Sequence, residues 1–330
     1  MTRYSFSLRR RTLLGACALS LAASLPGVAA AQSDWPNKPI RIVLPLTAGG
    51  VADANIRAIA AKMQAKLGQP VIVENKPGGS GAVAYNAARQ APADGHTLLV
   101  IHVGMLSAQA LLKTFDLGAN FQPIGLTGEA QLALVASGKS QISSVDDLVK
   151  RARAEPGKLN YGTIGIGSVE HLVTENLSSL ANMQLTHVPY KGGPDIVQAL
   201  SAGVTDIALL LPQIALPFAE KGMLRVLASL SSQRQAVMPN VPTMEELKLP
   251  VRSLTLWSGM MAPKGTPAPV LQRLHTELVA AMQDPDVRKQ MQSAGSTPTF
   301  SATPAEFGTR MDADLEWIRQ TIASRKISLN

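Results

Sequence analysis

From Trp35 onward, short apolar runs alternate with longer amphipathic stretches, and this alternation limits the chain to one class of architecture. Ile40–Leu44 reads as a strand and is followed by the loop Pro45-Leu46-Thr47-Ala48-Gly49-Gly50. A helix is predicted from about residue 52 to 67, with Ile56, Ile59, Ala60 and Met63 on one face and Gly68 as its stop signal. Residues 71–74 read as the next strand, 75–81 as a loop and 82–91 as a helix. Residues 97–101 read as a third strand, apolar on both faces as a strand in the middle of a parallel sheet must be. This is the βαβαβ grammar of a parallel sheet with helices on both sides.

The grammar restarts past Gln131. Strands are predicted over 132–136, 159–162, 186–188, 206–211 and 224–228, with helices over 169–181 and 194–201. Ser144 reads as the N-cap of a helix over 145–154, with Asp147 three residues in. Residues 254–261 read as a strand that passes back, and the chain ends in helices over 269–282, 285–294 and 304–325, each with a proline in its first turn. A length of 330 residues accommodates two domains. With no low-complexity linker, the economical division is two lobes joined by crossing strands, 32–131 plus 256–330 in lobe 1 and 132–255 in lobe 2.

Residues 1–31 read as an export signal. Arg9-Arg10-Arg11 precedes an apolar run over 12–25, and Val28-Ala29-Ala30-Ala31 supplies an A-x-A-like cleavage site. The run is too short to span a bilayer. Arg10-Arg11-Thr12-Leu13-Leu14 has the twin-arginine form, so the Sec and twin-arginine routes both stay open. Cys17, the single cysteine, would leave with this segment, so the mature chain would have no disulfide and no thiol chemistry. Four of the 31 basic residues fall in this acid-free segment, which leaves 27 against 23 acids, a net charge of +4 rather than +8. With aromatics at 4%, neither charge nor stacking surface points to nucleic acid.

Nothing nominates a catalyst. His96, His102, His171, His187 and His275 never pair at metal-site spacing. Gly165-Ile166-Gly167-Ser168-Val169-Glu170 lacks the nucleophile-elbow frame, and Gly78-Gly79-Ser80-Gly81 lacks the Lys-Ser/Thr of a phosphate-binding loop. Ser168 and His171 lie one helical turn apart, which keeps a serine hydrolase as an alternative beside the plainer reading of Ser168 as an N-cap. What recurs is a Gly-rich turn joining strand to helix, at residues 48–50, 77–81, 163–168 and 190–193. Glycine lets backbone N–H groups approach a ligand, and a following helix adds its positive dipole end. Such turns accept a carboxylate without an arginine, and turns on two lobes imply a shared crevice at the strand carboxyl ends.

The segments Trp35-Pro36-x-x-Pro39-Ile40-Arg41-Ile42-Val43, Ala48-Gly49-Gly50-x-x-Asp53 and Leu67-Gly68-Gln69-Pro70-Val71 resemble the extracytoplasmic solute receptors of tripartite tricarboxylate transporters, the Bug-type receptors. The likeness continues through Glu74-Asn75-Lys76-Pro77-Gly78, Asp94-Gly95-His96-Thr97, His187-Val188-Pro189-Tyr190-Lys191-Gly192 and Ala262-Pro263-x-Gly265-Thr266-Pro267. The resemblance implies an α/β, two-lobe periplasmic-binding-protein fold of type II-like form. Each lobe would be a mostly parallel sheet flanked by helices, with the crossing strands as hinge. It further implies a non-enzymatic receptor that captures a small organic carboxylate for membrane transporter subunits. No cofactor, metal or nucleic acid is called for, and the receptor is expected to be a monomer in the periplasm. A ligand sensor for a signalling partner would share the same fold.

Carried over by position, a first ligand loop comprises Thr47, Ala48, Gly49, Gly50 and Asp53, and a second Gly78, Gly79 and Ser80. A third loop is expected over residues 102–107, with His102 and Gly104. The second lobe offers Thr163, Gly165, Gly167 and Ser168, with Gln131 near the crossover. Lys76 and Lys191 are the cations nearest these loops, and neither is the expected clamp. Met105, Leu106 and Leu209 stand where such receptors often carry polar groups. With Asp53 as the one acid in reach, an uncharged organic body is expected in preference to an amino acid.

Overall fold

The computed structural model describes residues 35–249, 251–252 and 254–329. The chain divides into residues 1–37 and residues 38–330, and every element named below falls in the second unit. The expected export signal, including Arg10-Arg11, Cys17 and Ala31, lies outside the described residues.

Ten strands are assigned among the described residues: β1 (Ile40–Leu44), β2 (Val71–Asn75), β3 (Thr97–His102), β4 (Phe121–Ala130), β5 (Ala133–Ser137), β6 (Asn160–Thr163), β7 (Thr186–Pro189), β8 (Ile207–Leu210), β9 (Leu224–Ser229) and β10 (Leu256–Pro263). They form two five-stranded sheets, in the orders β2-β1-β3-β10-β4 and β7-β6-β8-β5-β9. In the first, β1 runs parallel to β2 and β3, with Ile40 beside Val71 and Ile42 beside Leu98. β10 then runs antiparallel between β3 and β4. The second sheet repeats the plan, with β5 antiparallel between β8 and β9. Four of five strands in each sheet therefore share a direction, and the chain passes between sheets at 131–132 and again between β9 and β10.

The helices are α1 (Val51–Leu67), α2 (Ala82–Arg89), α3 (Val103–Leu112), α4 (Leu117–Asn120), α5 (Val145–Ala154), α6 (Val169–Leu180), α7 (Gly193–Ala202), α8 (Pro212–Ala219), α9 (Ala268–Gln283), α10 (Pro285–Ser293) and α11 (Pro304–Ser324). Their ends carry their own chemistry. Gly68 stops α1 at φ +70°, where a side chain is strained, and its N–H donates to the Gln64 carbonyl. Ser144 and Thr303 accept from the Asp147 and Glu306 N–H groups, both at 3.1 Å, and so cap α5 and α11.

The expected third ligand loop is absent. β3 runs straight into α3, with His102 as the N-cap residue in extended backbone. Gly104 is what permits so abrupt a junction, because a Cβ there would come within 2.9 Å of the His102 ring. Met105 and Leu106 are accordingly buried core residues of α3. One apolar cluster runs from Val43, Leu99 and Ile101 of the first sheet, through α3, to Leu172, Val173 and Leu177 of α6. The lobes thus share packed side chains behind the crevice that their strand ends enclose.

Candidate functional site

A cavity of about 360 Å³ lies where the carboxyl ends of β1 and β3 face those of β6 and β8. That size falls within the range of small-ligand sites. The first lobe contributes Leu46 after β1, then Val51, Ala52, Asn55 and Ile56 of α1, and His102, Val103 and Gly104. The antiparallel pair β4 and β10 adds Thr127 to Ala130 and Leu256 to Ser258. The second lobe contributes Ile164, Ser168, Val169, Glu170, Leu211 and Gln213.

Two helices start at this cavity. Gly50 caps α1 in extended backbone, and Val51 and Ala52, its first two residues, line the wall. Ser168 caps α6, and Val169 and Glu170, its first two residues, line the opposite wall. First-turn N–H groups have no partner within their own helix, so both walls offer donors and a positive dipole end. Among the described residues no Lys or Arg side chain lines the cavity. Lys76 instead pairs with Glu74 at 2.8 Å.

Of the residues predicted for the site, His102, Gly104 and Ser168 line the cavity. Burial lowers the His102 pKa to about 4, so its ring is neutral at physiological pH. Thr47, Ala48, Gly49 and Gly50 form the exposed turn that leads into α1. Asp53, expected as a ligand group, is instead committed to its own turn. Its carboxylate accepts from the Gly49 N–H at 2.9 Å, from Arg57 Nε at 3.0 Å and from Asn75 Nδ2 at 2.9 Å. The Arg57 guanidinium is the main reason its pKa falls to about 2. Asp53 therefore holds the first turn in shape from behind.

Gly78, Gly79 and Ser80 sit in a tight exposed turn ahead of α2, apart from the cavity lining. Thr163, Gly165 and Gly167 support the second wall from below. Thr163 Oγ1 lies 2.6 Å from His187 Nε2 and accepts from the Gly165 N–H. Gly167 adopts φ +77°, and a Cβ there would meet the Leu111 side chain of α3 at 2.1 Å. Its N–H donates to His171 Nδ1 at 3.0 Å, and the His171 ring stacks on His187 at 4.0 Å. Ser168 Oγ accepts from the His171 N–H, the N-cap geometry, so the one-turn spacing of Ser168 and His171 is accounted for by helix initiation. Gln131 lies at the crossover beside the wall residue Ala130. Leu209 is buried within β8, whereas Leu211 faces the cavity.

Sequence reasoning missed Asn55, Glu129, Ser258 and, above all, Glu170. Glu129 is ion-paired with Arg310, which also donates to Thr255 Oγ1 at 2.6 Å. Thr127 and Ser258 bond each other across the strands at 2.8 Å. Glu170 is 7% exposed, and its Oε2 has no hydrogen-bond partner. The available signal was its place two residues past the Ser168 cap, but acids there usually serve the helix dipole alone. Among the described residues, no group of three or more His, Cys, Asp or Glu side chains is placed to hold a metal ion.

BugT of Bordetella pertussis is 32% identical over 312 residues, spanning 91% of this chain and 95% of that protein. Among solved structures, MatC from Rhodopseudomonas palustris with bound malate is 28% identical with a TM-score of 0.71, covering 87% of this chain and 100% of that one. A second R. palustris structure, with adipate, is 26% identical with a TM-score of 0.74, covering 89% of this chain and 99% of that one. The model of the tripartite tricarboxylate transporter family receptor matches residues 55–305, which take in the whole second sheet, every strand of the first sheet except β1, and the start of α6. With a two-lobe crevice at the strand ends and homology running nearly end to end, the chain belongs to the tripartite tricarboxylate transporter receptor family.

Proposed function

We propose that this chain is an exported receptor that captures a small organic carboxylate between its lobes and presents it to membrane transporter subunits. The observation that carries this reading is the convergence of two helix N-termini, those of α1 and α6, on one cavity that no Lys or Arg side chain among the described residues lines. Backbone N–H groups supply the grip on an anion in such a site. The malate and adipate bound by related proteins support the ligand class. No helix among the described residues is long and apolar enough to cross a membrane, in keeping with a receptor that works beside a separate membrane component. The N-terminal signal would direct it to the periplasm by either export route. The receptor acts as a monomer without nucleic acid or cofactor, and the absence of catalysis is supported by the Ser168 hydroxyl serving its helix and the His171 Nδ1 lone pair serving Gly167.

A thermal-shift screen of mono-, di- and tricarboxylates tests the reading. A ligand at a hundred times its dissociation constant stabilises the folded state by about 2.7 kcal/mol. A panel in which no carboxylate raises the Tm refutes it.

A further inference from the structure

Two acceptor oxygens in the cavity walls are buried and unpartnered, one from each lobe. Asn55, on α1, is 6% exposed; its Nδ2 donates to Ser296 Oγ at 3.1 Å, and its Oδ1 has no partner. Glu170, on α6, presents the unpartnered Oε2. Leaving a buried acceptor without a donor is unfavourable, and a buried carboxylate without a counter-charge is more so. Among the described residues none offers that acid a cation: Glu129 already holds Arg310, His102 is neutral, and no lysine or arginine lines the cavity.

Resting on the reading of the chain as a carboxylate receptor, we propose that Glu170, assisted by Asn55, selects ligands that carry a protonated amino group besides their carboxylate. The carboxylate meets the N–H groups of the helix starts, and the ammonium supplies the donors that Oε2 and Oδ1 lack. Burial raises the pKa of Glu170, while the neighbouring Ser168 and the residue's own backbone work against that rise. A ligand ammonium beside Glu170 opposes it in the same direction. This replaces the preference for an uncharged organic body, which rested on Asp53 as the sole acid within reach. Asp53 is spent on Gly49, Arg57 and Asn75, and Glu170 takes the position of available acid.

Calorimetric titration of the full mature chain with two matched pairs decides the matter: L-glutamate against glutarate, and 6-aminohexanoate against adipate. In at least one pair the aminated member is expected to bind more than tenfold tighter. Glu170→Gln keeps the shape of the side chain and is expected to abolish that advantage, weakening the amine at least tenfold while leaving the dicarboxylate unchanged or tighter. Asn55→Leu, the second variant, is expected to weaken the amine alone. Tighter binding of the dicarboxylate in both pairs, or equal losses for both members in Glu170→Gln, overturns the inference while leaving the carboxylate receptor intact. Binding by no member of either pair, while another carboxylate raises the Tm, overturns the inference and leaves the receptor reading intact.

Discussion

Asp53→Asn isolates the electrostatic part of the turn that opens α1. The substitution keeps the side-chain shape and one acceptor oxygen, so the contact from Gly49 or Asn75 can persist, but the charge facing Arg57 is lost. In the folded chain Asp53 titrates at about 2, against an ordinary value of 3.8. That difference corresponds to roughly 2 kcal/mol, and the half-exposed Arg57 partner, screened by water, reduces it to about 1–2 kcal/mol. Because the folded pKa is the lower one, this stability is fully present above pH 4 and is lost as the pH falls towards 2, where the native carboxylate takes up its proton. Urea unfolding of the wild type and the variant, in steps from pH 5 to pH 2, reads the difference directly. The variant is expected to be less stable by about 1–2 kcal/mol at pH 5, with the gap closing by pH 2. A gap that stays constant over this range refutes the assignment of the charge to the turn.

Two further outcomes follow from neighbouring groups. Burial, reinforced by the stacked His187, holds the pKa of His171 down to about 4, against 6.5 unfolded. Its contribution is intact above pH 6.5 and is lost as the pH falls to 4, up to about 3 kcal/mol, and His171→Asn is expected to flatten that part of the stability profile measured by urea melts. At the first position of α1, Val51→Pro removes one N–H from the cavity wall, and Gly50 before it already has the extended backbone (φ −80°, ψ 169°) that a following proline requires. Stability is expected to hold within about 0.5 kcal/mol while carboxylate affinity, by calorimetry, drops roughly tenfold or more.

The strands and helices were legible because periodicity and end signals agree. The apolar run of β3, Gly68 after α1 and the Ser144 cap each act within a few residues of themselves. What escaped depended on distant partners. The N-cap of α3, His102, makes no side-chain cap hydrogen bond and lies close to Gly104, so the start of the helix is set by the fit of the His102 ring over that glycine. Asp53 bears the marks of a ligand residue by position, yet Asn75, at the end of β2, helps to claim its carboxylate. Glu170 occupies the place of an ordinary first-turn acid, and only the facing lobe turns that end of α6 into a cavity wall. Backbone-driven anion sites leave little trace in side-chain identity, whereas the glycines that shape them do.

The place of β10 in the first sheet governs the order in which this chain can be completed. β10 supplies the hydrogen bonds on one side of β3 and on one side of β4, yet it is separated from them by the whole second sheet. Ribosomal synthesis delivers the second sheet, contiguous from Ala133 to Ser229, before Leu256 exists. Until then β3 and β4 are each an open edge, and closing them means joining segments more than a hundred residues apart. Such distant pairings form slowly. The first lobe is begun at the amino terminus and finished near the carboxyl terminus, so a chain in transit spends its synthesis without a closed first lobe.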